Sequence, residues 1–425
     1  MRMPMRTPRI QRFKQEVLAN KAPIVFFCDN DCDGTLGASV LLNLAKSLDL
    51  ECYVFTPTRN THGYGFTKEA LVDLFATKCI FDPRSNKLVA LKNIKDPVLF
   101  SADLGADLVK KECEHLQLEL ANHFKEIIIT DHHESPSEIF TIDKLNYINF
   151  NTKHQLDNNL EHPINLYSGA MTGALVFSQI FELKLCRSDE EMLGVTILSD
   201  MIDTKHNNNL DLVLHLKNMQ NVRLRNFVGN GFEMETLEQI KQVFGFNCIN
   251  YINAASRLSG ITNKDKLGNL VLQYGNLSYE ILKYFNPFLT EKANPEHAYY
   301  IKEYNNIKKR LIKEIERTSK LYACNRFIVC ILNNDAIIKA GVSGLIASNL
   351  IRKYNQFKYA LCIYETENNG KIFFSGSGRC ESDFNLLDQL KASEHIESGG
   401  HAQAFGVGFH KDDIGKVFNF LKTVM

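Results

Sequence analysis

The stretch Ile24–Val40, IVFFCDNDCDGTLGASV, constrains the fold of this chain more than any other. Ile24, Val25, Phe26, Phe27 and Cys28 form an apolar run with the length of a strand buried on both faces. It stops at Asp29, Asp31 and Asp33, with Gly34 and Thr35 immediately behind, and Leu36–Leu48 then repeats apolar residues at helical spacing. Three carboxylates therefore share one turn where a parallel strand hands over to a helix, the strand end at which open α/β sheets bind ligands. Crowded anions repel, and the simplest offset is a divalent cation. Taken alone, the stretch fits a solvated acidic turn equally well, because Asp is a common turn residue.

The pattern recurs. Pro97–Ser101 (PVLFS) reads as a second buried strand, ending in Asp103 with Gly105 behind it, and Glu126–Thr130 (EIIIT) as a third, ending in Asp131, His132 and His133. Glu51–Phe55 and Leu145–Phe150 are further strand candidates. Helical spacing marks Arg9–Leu18, Thr67–Lys78, Lys110–Ala121, Ser168–Lys184 and Glu190–Ser199, the last delivering Asp200 and Asp203. Thr56–Phe66 (TPTRNTHGYGF) reads as a loop carrying Arg59 and His62, and Tyr251–Gly260 (YINAASRLSG) as a tight segment carrying Arg257. Strand, polar tip and helix in repetition predict a doubly wound, mainly parallel sheet.

Lys302–Tyr322 is charged throughout with Leu and Ile at helical spacing, which predicts a long solvated helix connecting two domains. From Arg326 a new block begins: FIVCIL, Tyr359–Tyr364 and Lys371–Gly378 as strands, Gly341–Tyr354, Asn385–Lys391 and Lys411–Met425 as helices, and Ser398–Phe409 (SGGHAQAFGVGF) as a loop. The expected fold is α/β: a first domain with a helical extension over 1–260, a helical connector over 261–325, and a smaller α/β domain over 326–425.

Lys+Arg and Asp+Glu number 49 each, so there is no bulk basic footprint for nucleic acid, although a neutral sum hides local patches. Eleven cysteines lie scattered without a CxxC pair, which reads as free thiols in a reducing, cytoplasmic compartment. Cys28 and Cys32 read as packing residues rather than as half of a thiolate zinc site. The basic N-terminus has no apolar core of a secretory signal, and no run reaches membrane-spanning length; a soluble protein without a membrane partner is expected.

The polar tips at Asp29/Asp31/Asp33, Asp103, Asp131/His132/His133 and Asp200 would converge, since neighbouring parallel strands end on one rim. Any one tip Asp is ordinarily a turn or helix-capping residue; four tips on successive elements are harder to read that way. Carboxylates with one or two imidazoles make a mixed oxygen and nitrogen set suited to manganese or magnesium. A carboxylate bridging two ions about 3.5–4 Å apart is the usual plan for phosphoryl hydrolysis.

DNDCDG (Asp29–Gly34), SADLG (Ser101–Gly105), TDHH (Thr130–His133) and LSDMID (Leu198–Asp203), in that order, resemble the motifs of the DHH phosphoesterase superfamily. GSGR (Gly376–Arg379) and SGGHAQAFG (Ser398–Gly406) resemble the family's DHH-associated C-terminal domain, while the TRNTHGYG loop, the SGAMTGALVF helix, INAASRL (Ile252–Leu258) and GVSGLIASNL (Gly341–Leu350) are similar to those of its RecJ-like single-strand-specific exonucleases. The resemblance spans about residues 20–415 and implies a DHH catalytic domain followed by a DHH-associated C-terminal domain that binds substrate. It implies two manganese ions, or magnesium, held by Asp31, Asp33, Asp103, His132 and Asp200, with Asp103 as the bridge and Asp29 in support. His133 and His401 would act on the scissile phosphate; Gly399 and Gly400 would present backbone N–H groups to phosphate. Ser377 and Arg379 would hold the nucleic-acid backbone, and Arg59 and Arg257 a 5′-terminal phosphate.

The activity so implied is metal-dependent, 5′-to-3′ release of mononucleotides from single-stranded DNA in repair, recombination or replication, with single-strand-binding or replisome proteins as partners. Asn30 and Cys32 stand where the family often has Tyr or His and Ala, but neither is an expected ligand. The resemblance does not extend to the OB-fold with which bacterial members grip long strands, so processivity is not implied. A phosphodiesterase of the same superfamily acting on short oligonucleotides or dinucleotides is the nearest alternative. A non-catalytic replication scaffold ranks lower, because every metal-site carboxylate is present.

Overall fold

The computed structural model describes residues 7–133, 135–149, 167–205, 207–260, 265–267, 270–272, 275–289, 295–333, 340–368, 370–380, 386–401 and 404–423. The chain divides into two compact units, Met1–Gly260 with Asn276–Asn305, and Ile261–Gly275 with Asn306–Met425. Residues 261–325, expected as a connector, are shared between them.

The first unit is built on a seven-stranded sheet: β1 (Ile24–Cys28), β2 (Cys52–Phe55), β3 (Lys78–Asp82), β4 (Lys87–Ala90), β5 (Val98–Ala102), β6 (Ile127–Asp131) and β7 (Leu145–Asn149), in the order β4-β3-β2-β1-β5-β6-β7. The pairs from β2 through β7 are parallel, and β3 and β4 add an antiparallel edge. β1, β5 and β6 are buried along their whole length, because helices cover both faces. On one face Val25, Phe27, Leu99 and Ile129 pack against Leu71 and Leu74 of the helix Lys68–Ala76 and Leu120 of the helix Glu114–His123. On the other, Phe26 and Phe100 meet Phe177 of the helix Gly169–Phe181, and Phe100 also meets Phe13 of the helix Pro8–Leu18. The sheet is thus doubly wound and mainly parallel.

Several local expectations are corrected. The helix over Thr67–Lys78 ends at Ala76, and Lys78 already opens β3, which folds back through Pro83–Asn86 into β4; neither strand was anticipated. The Thr56–Phe66 loop contains one helical turn, Arg59–His62, and the Tyr251–Gly260 segment is a helix, Asn250–Leu258. The long charged helix runs over Pro295–Thr318 and is not solvated throughout: Ala298, Ile301, Leu311, Ile312 and Ile315 are buried. It stops before Lys320, where β10 (Lys320–Cys324) begins.

The second unit holds a small hairpin, β8 (Asp265–Leu267) with β9 (Leu270–Leu272), and a six-stranded sheet. To β10 it adds β11 (Phe327–Ile331), β12 (Tyr359–Asn368), β13 (Lys371–Cys380), β14 (Glu397–His401) and β15 (Ala404–His410), ordered β10-β11-β12-β13-β15-β14. Only the β11–β12 pair is parallel. Phe327, Val329, Leu361 and Val407 face the helices Leu386–Lys391 and Ile414–Thr423, through Leu386, Leu390, Val417 and Leu421. The Ser398–Phe409 segment, expected as a loop, is mostly the β14–β15 hairpin. Its glycines alternate with Phe405, Val407 and Phe409, the period of a strand with one buried face. No described helix is long and apolar enough to cross a membrane, and all eleven cysteines are free.

Candidate metal centre

The parallel register brings the strand ends level: Cys28 pairs with Ala102, and Ala102 with Thr130. The residues that follow therefore project from one rim. The chain leaves β1 towards β2 on one side and reaches β5 on the other, so this rim is the switch point where doubly wound sheets open a crevice. Asp29 and Asp31 follow β1, and Asp31 caps the buried helix Cys32–Ser47, its Oδ1 accepting from Gly34 N at 3.2 Å. Asp33 lies in that helix's first turn, with Oδ2 accepting from Ala170 N (3.1 Å) at the start of the helix Gly169–Phe181. Asp103 follows β5 in a left-handed conformation (φ 67°). Its carboxylate lies against Gly169, where any side chain would overlap it. Asp200 caps the C-terminus of the helix Arg187–Ser199.

These groups meet. Ligand atoms of Asp33, Asp103, His132 and Asp200 all lie within 4.8 Å of one another, as do those of Asp29, Asp31 and Asp103. Nε2 of His132 is 3.2 Å from Asp103 Oδ1 and 3.3 Å from Asp200 Oδ2. Asp103 belongs to both groups.

The electrostatics show what the cluster lacks. Burial, followed by the charge of Asp31, pushes the Asp33 carboxyl up to about 6. Burial and the neighbouring carboxylates, Asp33 foremost, hold Asp103 and Asp200 well above the usual carboxylate range. Burial also raises Asp29, against the pull of Arg59. Asp33 Oδ1 and Asp103 Oδ1 are buried without a hydrogen-bond donor. Buried carboxylate oxygens without donors, in a set of oxygens and one imidazole, fit a divalent cation of the manganese or magnesium type.

Two basic side chains flank the cluster, Arg59 and His133. Arg59 Nη2 donates to Asp29 Oδ2 (2.9 Å) and Asp31 Oδ2 (2.8 Å), while its guanidinium lies over the Tyr64 ring at 4.7 Å. Asp131 Oδ2 accepts from Ala106 N (2.6 Å), and its Oδ1 from His132 N (2.7 Å) and His133 N (3.1 Å), with His133 Nδ1 at 2.8 Å. Burial opposes charge on His133, but the ion pair with Asp131 outweighs it and raises the imidazole to about 9. His133 is thus held towards the imidazolium form, half-exposed beside the carboxylates.

The other expected residues lie as follows. Arg257 is partly buried on the helix Asn250–Leu258, its backbone oxygen accepting from Asn60 Nδ2 (2.8 Å). In the second unit Ser377 Oγ lies 2.9 Å from Ser343 Oγ, and Arg379 Nη1 donates to Gly378 O (2.7 Å) with its guanidinium against Gly344. Gly399, Gly400 and His401 lie on the edge strand β14, paired with Gly406, Phe405 and Ala404; the side chain of His401 is outside the described residues. Sequence reasoning missed the groups that brace the acidic turn. Asn253 Oδ1 accepts from Cys32 N (2.9 Å), Ser256 Oγ donates to Asn30 Oδ1 (2.8 Å), and Ser278 Oγ donates to Asn30 O (3.0 Å). Asp131, expected among the converging tips but without a role, is the partner of His133, and Asp203 proves to cap Lys205 N (2.8 Å) on the surface.

Fold and cluster together define a doubly wound α/β unit with a buried Asp/His site at its switch point. No protein-family model and no curated protein matches the sequence. Solved structures do. The exonuclease RecJ bound to manganese superposes with a TM-score of 0.61 at 18% identity, over 99% of this chain and 93% of that one. RecJ from Thermus thermophilus, in complex with manganese, gives 0.65 at 16% identity, over 99% of this chain but only 55% of its own. The DHH domain of a member of the s1p family of ribosomal proteins gives 0.53 at 14% identity, over 97% and 89%. The chain has the RecJ-like fold of DHH-domain proteins.

Proposed function

We propose that this protein is a metal-dependent phosphodiesterase acting on single-stranded nucleic acid, DNA above RNA, and releasing mononucleotides from the 5′ end. The observation that carries the reading is the meeting of Asp33, Asp103, His132 and Asp200 with buried carboxylate oxygens that have no donor. The RecJ-like fold supports the choice of substrate. Asp31, Asp33, Asp103, His132 and Asp200 would hold two divalent ions, manganese before magnesium, with Asp103 shared and Asp29 in support. When bound, such ions activate water and neutralise charge on the phosphate.

The chain's own groups do the rest. Asp131 fixes the ring of His133 and keeps it protonated, so that it donates to a phosphate oxygen as charge develops there. Arg59 and Arg257 would take the 5′-terminal phosphate, Ser377 and Arg379 the strand's backbone, and Gly399, Gly400 and His401 a further phosphate. The test is hydrolysis of end-labelled single strands with manganese, beside a dinucleotide substrate. Release of mononucleotides from the 5′ end, abolished by Asp103→Ala, is expected; full activity in Asp103→Ala sinks the assignment. Preference for the dinucleotide moves the protein to the short-substrate phosphodiesterases.

A further inference from the structure

We propose that Arg59 is a resident counter-ion for one half of the acidic cluster, seated between Asp29 and Asp31, so that a second divalent ion enters only by displacing it. The inference rests on the metal-centre reading above and adds an order of filling to it.

The two halves of the cluster are charged differently. Among the described residues, no lysine or arginine forms an ion pair with Asp33, Asp103 or Asp200; the ring of His132 approaches the latter two, and that of His133 comes within 4.8 Å of Asp103. Asp29 and Asp31 instead share one guanidinium nitrogen of Arg59, whose side chain is only 13% exposed. A cation arriving at Asp33, Asp103, His132 and Asp200 meets carboxylates to which no arginine or lysine is paired, the nearby His133 being tied to Asp131, whereas one arriving at Asp29 and Asp31 must compete with an arginine seated on both.

The seat of Arg59 is also one it can leave. A guanidinium fixed by a carboxylate ordinarily presents two parallel N–H groups to it. Here a single nitrogen serves both carboxylates, and Nε is buried without any acceptor. The flat face rests on Tyr64, a ring 61% exposed that holds the cation without fixing its direction. Displacement would release a cation beside the cluster, free to take an anionic group of the substrate. Ion and anion then favour one another's binding through Arg59, and reciprocity of linkage requires the coupling to run both ways.

Manganese titration of the whole chain, by calorimetry and by paramagnetic resonance of the free ion, tests the order. Wild type is expected to take up one ion tightly and a second more weakly. Arg59→Gln should tighten the weaker ion at least tenfold and leave the tight one unchanged, while Arg59→Lys, which keeps the charge, stays near wild type. A tight ion with no gain at the weaker site in Arg59→Gln overturns the inference and leaves the metal centre standing; no ion in either protein overturns both. A second measurement needs no substitution. Modification of Arg59 by an arginine-specific dicarbonyl reagent, followed by peptide mass mapping, should rise several-fold at manganese concentrations that fill the weaker site. Unchanged or reduced modification counts against displacement.

Discussion

Asp103 adopts a left-handed backbone conformation that costs a non-glycine residue about 1–2 kcal/mol, although Asp bears it better than most. It does so to lay its carboxylate against Gly169, at the start of a helix that also donates Ala170 N to Asp33. Gly169→Ala should therefore act on the site more than on the fold. Alanine suits a helix better than glycine by up to ~1 kcal/mol, but its Cβ must push Asp103 away from His132 and Asp200. Manganese affinity is expected to fall at least tenfold with little change in melting temperature. Unaltered affinity would show that Asp103 finds its place without this contact. Asp29, Asp31, Asp33, Asp103, His132 and Asp200 could be picked out in the sequence because their chemistry travels with their identity. Gly169 and Asn253 could not. Their parts depend on which residue the fold sets opposite them, Asp103 for one and Cys32 N for the other.

Strands buried on both faces announce themselves as apolar runs, so β1, β5 and β6 were legible to within a residue or two. The strands that escaped share one cause, exposure of one face. β3 and β4 carry Lys78, Lys87 and Leu88 to solvent, and β15 interleaves glycines with Phe405, Val407 and Phe409. Each was hidden by a polar or glycine-rich alternation that equally describes a loop. The helix Pro295–Thr318 failed the other way, its charges masking a buried stripe. That helix is tied to its neighbour by charge. Glu280, on the helix Ser278–Phe285, accepts from Lys283 Nζ (2.7 Å) and pairs with His297 Nε2 (3.0 Å). Hydrogen bonding from His297, against the effect of burial, lowers the Glu280 carboxyl from 4.5 to about 2. A depressed carboxyl stabilises the fold above its ordinary value and loses that contribution as pH falls through the depressed one. The difference in urea stability between wild type and Glu280→Gln should thus be constant above about 4.5 and close as pH falls towards 2. A difference that holds steady over this window would remove the tie.

The sheet order turns scattered polar tips into one site, and it does so at a cost that the whole molecule carries. Parallel pairing of β1, β5 and β6 sets Asp33 and Asp103 level behind buried strand ends, and the helix Arg187–Ser199 adds Asp200. Without cations, burial and mutual repulsion hold all three carboxyls above their usual range, so at neutral pH each works against folding. A ligand that binds only the folded chain stabilises it by about 2.7 kcal/mol at a hundredfold excess over its Kd. Manganese should accordingly raise the melting temperature of wild type by several degrees. Asp103→Asn removes one repelling charge and, with it, the carboxylate of the residue common to both groups. The two effects have opposite signs, which makes the comparison diagnostic: the variant should melt above wild type without metal and gain little when manganese is added. A structural carboxylate would give neither crossing, since its amide would melt lower under both conditions. If manganese raises the variant as far as wild type, the ion binds elsewhere, and the buried oxygens at the switch point are not its ligands.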